Sequence, residues 1–207
     1  MIAIVDYGMG NLRSVEKGFE HAGVRGITVT SDPAVVAAAR GIVLPGVGAF
    51  RDAAAQLRTT GLRDTLLERV ADGVPFLGIC LGMQLLADVG LEDGEWEGLG
   101  LVPGTCERLP AGVKIPHIGW NTVRYPRESA LFAGIPEGSA FYFVHSYHFV
   151  AGDPDAVIGE TEHGIPFAAA VSAGNVFGVQ FHPEKSSALG LTLLANFGSI
   201  VSEGAAA

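Results

Sequence analysis

The stretch Pro75-Phe76-Leu77-Gly78-Ile79-Cys80-Leu81-Gly82-Met83-Gln84 decides the fold. An apolar run ends in a cysteine with a glycine two residues away on either side. The run before Cys80 reads as a buried strand and the run after it as a helix. The cysteine therefore falls on a sharp strand-to-helix turn, with its sulfur raised above the sheet. Gly78 and Gly82 suit the close backbone packing that such a turn demands. The helix that starts there aims unpaired N–H groups toward the sulfur, an arrangement that favours a thiolate.

Working toward the N-terminus, strand and helix patterns alternate. Residues 2–6, 26–30, 41–44 and 76–79 read as strands. Between them, Leu12, Val15, Phe19 and Ala22 recur at helical spacing, Ser31-Asp32-Pro33 starts a second helix, and 51–58 and 62–71 are helical. This alternation predicts an α/β fold with a mostly parallel sheet covered by helices on both faces. Toward the C-terminus the pattern changes. Residues 106–109, 121–125, 140–150, 156–160, 167–172 and 176–181 read as strands separated by turns, an antiparallel extension with hairpins. A last helix places Leu189, Leu193, Phe197 and Ile200 on one face.

With 207 residues, 48% of them hydrophobic, the chain is long enough for one sizeable core. A single domain over residues 1–203 with a disordered tail at 204–207 is expected. The net charge is −9 and basic residues do not cluster, which argues against a nucleic-acid groove. No apolar run reaches about 18 residues and no basic leader precedes the first strand, so no membrane association and a cytoplasmic location are expected. The two cysteines, Cys80 and Cys106, are read as reduced thiols, Cys106 as packing.

A nucleophilic cysteine needs a base, and Val179-Gln180-Phe181-His182-Pro183-Glu184 supplies one at the end of another apolar strand. Two residues apart at a strand end, His182 and Glu184 project to one side. Glu184 can hold one imidazole nitrogen while the other faces Cys80. An oxyanion also needs donors. Pro45-Gly46-Val47-Gly48-Ala49-Phe50, after the strand at 41–44, brings backbone N–H groups to the carboxyl end of the sheet, and the N–H of Leu81 is the second natural donor. Gly8-Met9-Gly10 lacks the third glycine of a dinucleotide fingerprint, where Arg13 stands. His145 and His148, three apart on a supposed single strand, face opposite sides and do not make a metal pair. No metal or cofactor is expected.

These segments together resemble the class I glutamine amidotransferases of the Cys-His-Glu type. Six segments carry a closer resemblance, to the glutaminase subunits of imidazole glycerol phosphate synthase. They are Asp6-Tyr7-Gly8-Met9-Gly10-Asn11-Leu12, the glycine loop, the cysteine elbow, Pro116-His117-Ile118-Gly119-Trp120-Asn121, Tyr142-Phe143-Val144-His145-Ser146-Tyr147 and Phe181-His182-Pro183-Glu184-Lys185-Ser186. The resemblance implies hydrolysis of glutamine through a Cys80 thioester, with His182 as proton carrier and Glu184 as its orienter. It implies delivery of the ammonia to a (β/α)8-barrel cyclase partner, and a Gly46-Val47-Gly48 loop that the partner sets. Carried over by residue, Gly48, Gln84, Ser146 and Tyr147 line the glutamine pocket and Glu92 is a candidate for the α-amino group. Asn11, His117, Trp120, Asn121, Tyr142 and Lys185 lie on or near the face toward the cyclase. A glutaminase of another synthase, a docking subunit without catalysis and a stand-alone cysteine hydrolase are the competing readings.

Overall fold

Apolar runs of four to six residues, each closed by a turn, build the N-terminal half. In the computed structural model, which describes residues 1–204, β1 (Ile2–Val5), β2 (Ile27–Thr30), β3 (Gly41–Gly46) and β4 (Phe76–Cys80) alternate with α1 (Leu12–His21), α2 (Pro33–Ala37), α3 (Phe50–Thr59) and α4 (Leu62–Ala71). The start of α2 follows its sequence signal, since Asp32 accepts from the Ala34 N–H at 2.8 Å and Pro33 occupies the first turn. A four-residue helix, α5 (Leu81–Gln84), leaves β4 directly. Then come β5 (Val89–Gly90), β6 (Trp96–Glu97), β7 (Gly104–Arg108), β8 (His117–Val123), β9 (Ser139–His145), β10 (Tyr147–Ala151), β11 (Val157–Glu162), β12 (Pro166–Ala173), β13 (Val176–Val179) and α6 (Ser187–Glu203). Of the tail expected at 204–207, Gly204 closes α6 and residues 205–207 lie outside the described residues.

The main sheet has the order β2-β1-β3-β4-β13-β12-β10-β7-β5-β6, with β11 paired to β12. From β2 to β13 every pairing is parallel; β13 to β12, β12 to β10 and β10 to β7 are antiparallel. The predicted α/β class with its antiparallel extension is therefore the observed one. One placement is decisive. β13, from the end of the chain, lies parallel beside β4, with Val179 opposite Ile79, while β3 lies on the other side with Gly46 opposite Cys80. The glycine loop, the cysteine and the segment leading to His182 thus leave the same end of three adjacent strands. That end is where ligands bind in such sheets.

Apolar side chains fill both faces. Tyr7, Leu44, Phe50 and Phe76 anchor one layer, and Phe19, Phe141, Phe143, Phe181 and Phe197 the other. Phe141 and Phe181 stack with ring centroids 4.1 Å apart, which pins β9 against the chain just before His182. Such a pair contributes about 1 kcal/mol beyond its area burial.

The sequence expectations need four corrections. The strand expected over 140–150 is two strands, broken at Ser146 and divided between two sheets, because β9 pairs only with β8 in a separate ribbon. His145 and His148 therefore sit on different strands, and the facing argument applied to them fails. The strand expected at 121–125 is β8, which begins four residues earlier and ends two residues earlier. The β5–β6 hairpin was not anticipated, since two-residue strands leave no periodicity to read. Finally, β13 ends at Val179, and His182 precedes a 3-10 turn over Pro183–Lys185, so strand alternation is not what aligns His182 with Glu184.

Candidate active site

The elbow is tight because two glycines allow it. A Cβ at Gly82 would stand 1.7 Å from the Leu44 carbonyl oxygen, and one at Gly78 would meet the Gly82 carbonyl at 2.5 Å. Cys80 itself takes φ 56° and ψ −109°, a conformation that costs a non-glycine residue about 1–3 kcal/mol. The strain turns the sulfur out of the strand and toward the cleft. Cys80 is 7% exposed, and its sulfur meets the Gln180 side-chain amide at 3.7 Å.

His182 is 3% exposed. Its position is fixed through its backbone. Its N–H donates to the Tyr142 carbonyl at 2.9 Å, and its carbonyl accepts from the Ser186 hydroxyl at 2.6 Å. The same hydroxyl accepts from the Tyr142 N–H at 3.0 Å, so Ser186 locks β9 and the histidine turn together. The ring Nδ1 meets Glu184 Oε1 at 2.8 Å, and the carboxylate side chain is 1% exposed. Nε2 is buried, with Cys80 as its neighbour. Burial pushes the imidazole pKa down, but the neighbouring Cys80 and the bonded Glu184 outweigh it and lift the value to about 9. A histidine so placed holds a proton at neutral pH and can hand it to a leaving group.

A cleft of about 540 Å³ opens over Cys80 and His182, a size suited to a small ligand. Val47, Gly48, Leu81, Gln84, Glu92, Ser146, Tyr147 and Lys185 all line it, as do Asp93 and Arg108. Gly48 takes φ +105°, and Val47 is 44% exposed. Leu81 is the first residue of α5, where N–H groups have no intrahelical acceptor. Glu92 has an occupation not foreseen from the sequence: its Oε2 accepts from the Phe50 N–H at 2.6 Å, at the start of α3. The residues expected toward a partner divide. Asn11, Trp120 and Lys185 are exposed, Tyr142 and Asn121 are half-buried, and His117 is buried against Phe143. Trp120 and Tyr142 are cross-strand partners with rings 6.1 Å apart.

Sequence reasoning missed Gln180, Ser186 and Tyr7. Gln180 is fully buried and bonds Gln84 at 3.0 Å. The signal was there, in a polar residue at the end of the apolar run Val176-Phe177-Gly178-Val179. Ser186 gave no local signal. The Tyr7 hydroxyl lies buried without a hydrogen-bond partner where a Cβ on Gly46 would stand.

A thiol raised on a strained elbow, beside an imidazolium whose far side a buried carboxylate occupies, is built for acyl transfer from an amide, the work of a cysteine amidohydrolase. The glutamine amidotransferase class-I family model matches residues 3–200. The chain is 56% identical over 200 residues to imidazole glycerol phosphate synthase subunit HisH of Moorella thermoacetica, covering 97% of this chain and 95% of that protein. It is 52% identical to the subunit of the same name from Desulfitobacterium hafniense, over 99% and 97% of the two chains. Among solved structures, a glutamine amidotransferase superposes with a TM-score of 0.75 at 18% identity over 97% of this chain and 98% of that one. PurLQS from Thermotoga maritima gives 0.70 at 21%, over 98% and 95%. At such identities these two matches speak for the fold alone. The chain belongs to the class-I glutamine amidotransferase family and, within it, to the glutaminase subunits of imidazole glycerol phosphate synthase in histidine biosynthesis.

Proposed function

We propose that Cys80 attacks the side-chain carbonyl of glutamine, forms a γ-glutamyl thioester and releases ammonia, with His182 protonating the departing nitrogen. Water then attacks the thioester, His182 takes its proton, and glutamate leaves. Glu184 holds the imidazole by Nδ1 throughout, so Nε2 alone faces the reaction. The N–H groups of Leu81 and the Gly46-Val47-Gly48 loop stabilise the oxyanion, and Gln84, Ser146 and Tyr147 hold the substrate. The α-amino group falls to Glu92, with Asp93 beside it. The observation that carries this reading is the buried His182–Glu184 contact at 2.8 Å beside a strained Cys80.

The ammonia passes to a (β/α)8-barrel cyclase, which makes imidazole glycerol phosphate and aminoimidazole carboxamide ribotide. Exposed Trp120, Asn11 and Lys185 mark the docking face, with half-buried Tyr142 and Asn121 behind them. The partner and its nucleotide set the glycine loop, whose Gly48 already occupies a backbone region that other residues avoid. Loss of one oxyanion donor costs about 10²–10³ in rate, so one peptide's orientation suffices as a gate. We place the protein in the cytoplasm; no helix among the described residues is long and apolar enough to cross a membrane.

The test is glutamate release from glutamine by the subunit alone and with a cyclase plus nucleotide, with Cys80→Ala as control. Strong activation that the variant abolishes supports the reading. Steady turnover indifferent to the cyclase would move the chemistry to another synthase or to a stand-alone hydrolase.

A further inference from the structure

At the edge of the substrate pocket lies a histidine pair that the reaction does not use, His145 bordering the cleft and His117 lying behind it. His117 on β8 and His145 on β9 face each other across the ribbon, with His117 Nδ1 and His145 Nε2 2.9 Å apart. Both are buried, at 4% and 6% exposure. His145 Nδ1 lies 2.8 Å from the Tyr147 carbonyl, and His117 Nε2 lies 3.3 Å from the Asn121 amide nitrogen.

The directions of these bonds follow from their ends. A carbonyl only accepts, so His145 Nδ1 carries a proton and, in a neutral ring, Nε2 accepts. His117 Nδ1 must then donate, which leaves its Nε2 as the acceptor for Asn121. The Asn121 amide is oriented independently, because Nδ2 also donates to the Glu162 carbonyl at 2.8 Å while Oδ1 accepts from the Thr122 N–H at 2.9 Å. Burial supports the neutral form of both rings, holding His145 near 3 and His117 near 4. Each ring proton has one acceptor and each ring lone pair one donor.

The chain ends on a functional peptide. Tyr147 and Ser146 form the break between β9 and β10, and both line the pocket over Cys80. The Tyr147 carbonyl also accepts from Gln84 at 3.0 Å, Gln84 bonds Gln180, and Gln180 meets the Cys80 sulfur. At the other end, β8 alternates buried and outward residues, and next to His117 it presents Ile118 at 59% and Trp120 at 54% exposure.

We propose that His117 and His145 are positioning residues: a one-way hydrogen-bond chain from Asn121 to the Tyr147 carbonyl fixes the Ser146–Tyr147 wall of the glutamine pocket to β8, the strand whose opposite face presents Ile118 and Trp120. His145 borders the cleft, but both of its ring nitrogens are taken up by the chain, so the pair acts through the Tyr147 carbonyl. The proposal rests on the pocket assignment above, and the β8 end of it also on the docking face.

The experiment compares His145→Phe with His145→Gln, and adds His117→Phe, measuring steady-state glutamine kinetics in the complex with the cyclase and nucleotide. Phenylalanine keeps the ring volume and removes both bonds; glutamine can still donate and accept. The expected result is a KM raised about tenfold in His145→Phe with kcat within about twofold, a KM in His145→Gln within about threefold of wild type, and a KM raised about threefold in His117→Phe. A KM within twofold of wild type in a folded His145→Phe overturns the proposal, as does a glutamine variant as impaired as the phenylalanine one. Should His145→Phe fail to fold, an unchanged KM in His117→Phe overturns it equally. The alkylation rate of Cys80 by iodoacetamide should stay unchanged in all three, since the nucleophile is not what the pair positions. Wild-type turnover indifferent to the cyclase would sink the partner reading instead, and the same KM comparison on the subunit alone then judges the histidines.

Discussion

Cys80 and Glu184 show how much one residue's surroundings decide. Replacing Glu184 by Gln keeps the shape of the contact to His182 but removes a charge that raises the imidazole pKa. On the proposed mechanism, wild-type kcat should fall as pH rises through about 9, where His182 loses the proton it gives to the departing nitrogen. In Glu184→Gln that alkaline limb should move to lower pH, and kcat at pH 7.5 should fall about 10²-fold or more. A pH–rate profile of both proteins reads the two effects; an unmoved limb would remove Glu184 from its role. His145 carries a second prediction, with the opposite sense. Burial depresses its pKa to about 3, against about 6.5 in an unfolded chain. Below 6.5 the unfolded chain binds a proton that the folded one refuses, so stability falls as pH drops from about 6.5 toward 3. The slope reaches at most about 1.4 kcal/mol per pH unit for this one proton. Denaturant midpoints from pH 7 to 4 should fall less steeply in His145→Gln than in wild type.

At the scale of elements, the β4–α5 elbow and the β8–β9 ribbon make contrasting claims. The elbow has no room: Gly82→Ala would drive a methyl group into the Leu44 carbonyl. Overpacking against backbone costs about 3 kcal/mol or more, which lowers Tm by about 6–12 °C in a chain of this length. Calorimetry of the variant settles it, and a Tm within 2 °C of wild type would show that the strand and helix can part. The ribbon is instead a surface. Trp120→Ala should leave Tm within about 2 °C yet weaken cyclase binding about 30-fold, the usual effect of losing an aromatic anchor. Titration calorimetry with the cyclase measures this, and an unchanged Kd would take Trp120 off the docking face. Elements also mark where the sequence stops being legible. The strands β1, β3 and β4 were readable because each is a continuous apolar run bounded by turn residues. The break at Ser146 was not, because Phe143 to Val150 offers neither glycine nor proline, and only the pairing of β9 with β8 pulls the chain out of the main sheet.

For the whole molecule, the reactive groups converge because strands distant in sequence lie side by side. Cys80 and His182 are separated by the entire antiparallel half of the chain, yet β4 and β13 are neighbours in register. The amino-acid sequence by itself determined the cysteine elbow, the alternating α/β half and the identity of the His–Glu pair. Each of these is encoded locally, by glycine placement, apolar period or adjacent residues. Only the tertiary structure decided how His182 and Glu184 are aligned, that Glu92 also closes the start of α3, and that His117 reaches the pocket wall through His145. These depend on which strands pair and in which register, and that is set by burial of the whole apolar surface rather than by any one segment.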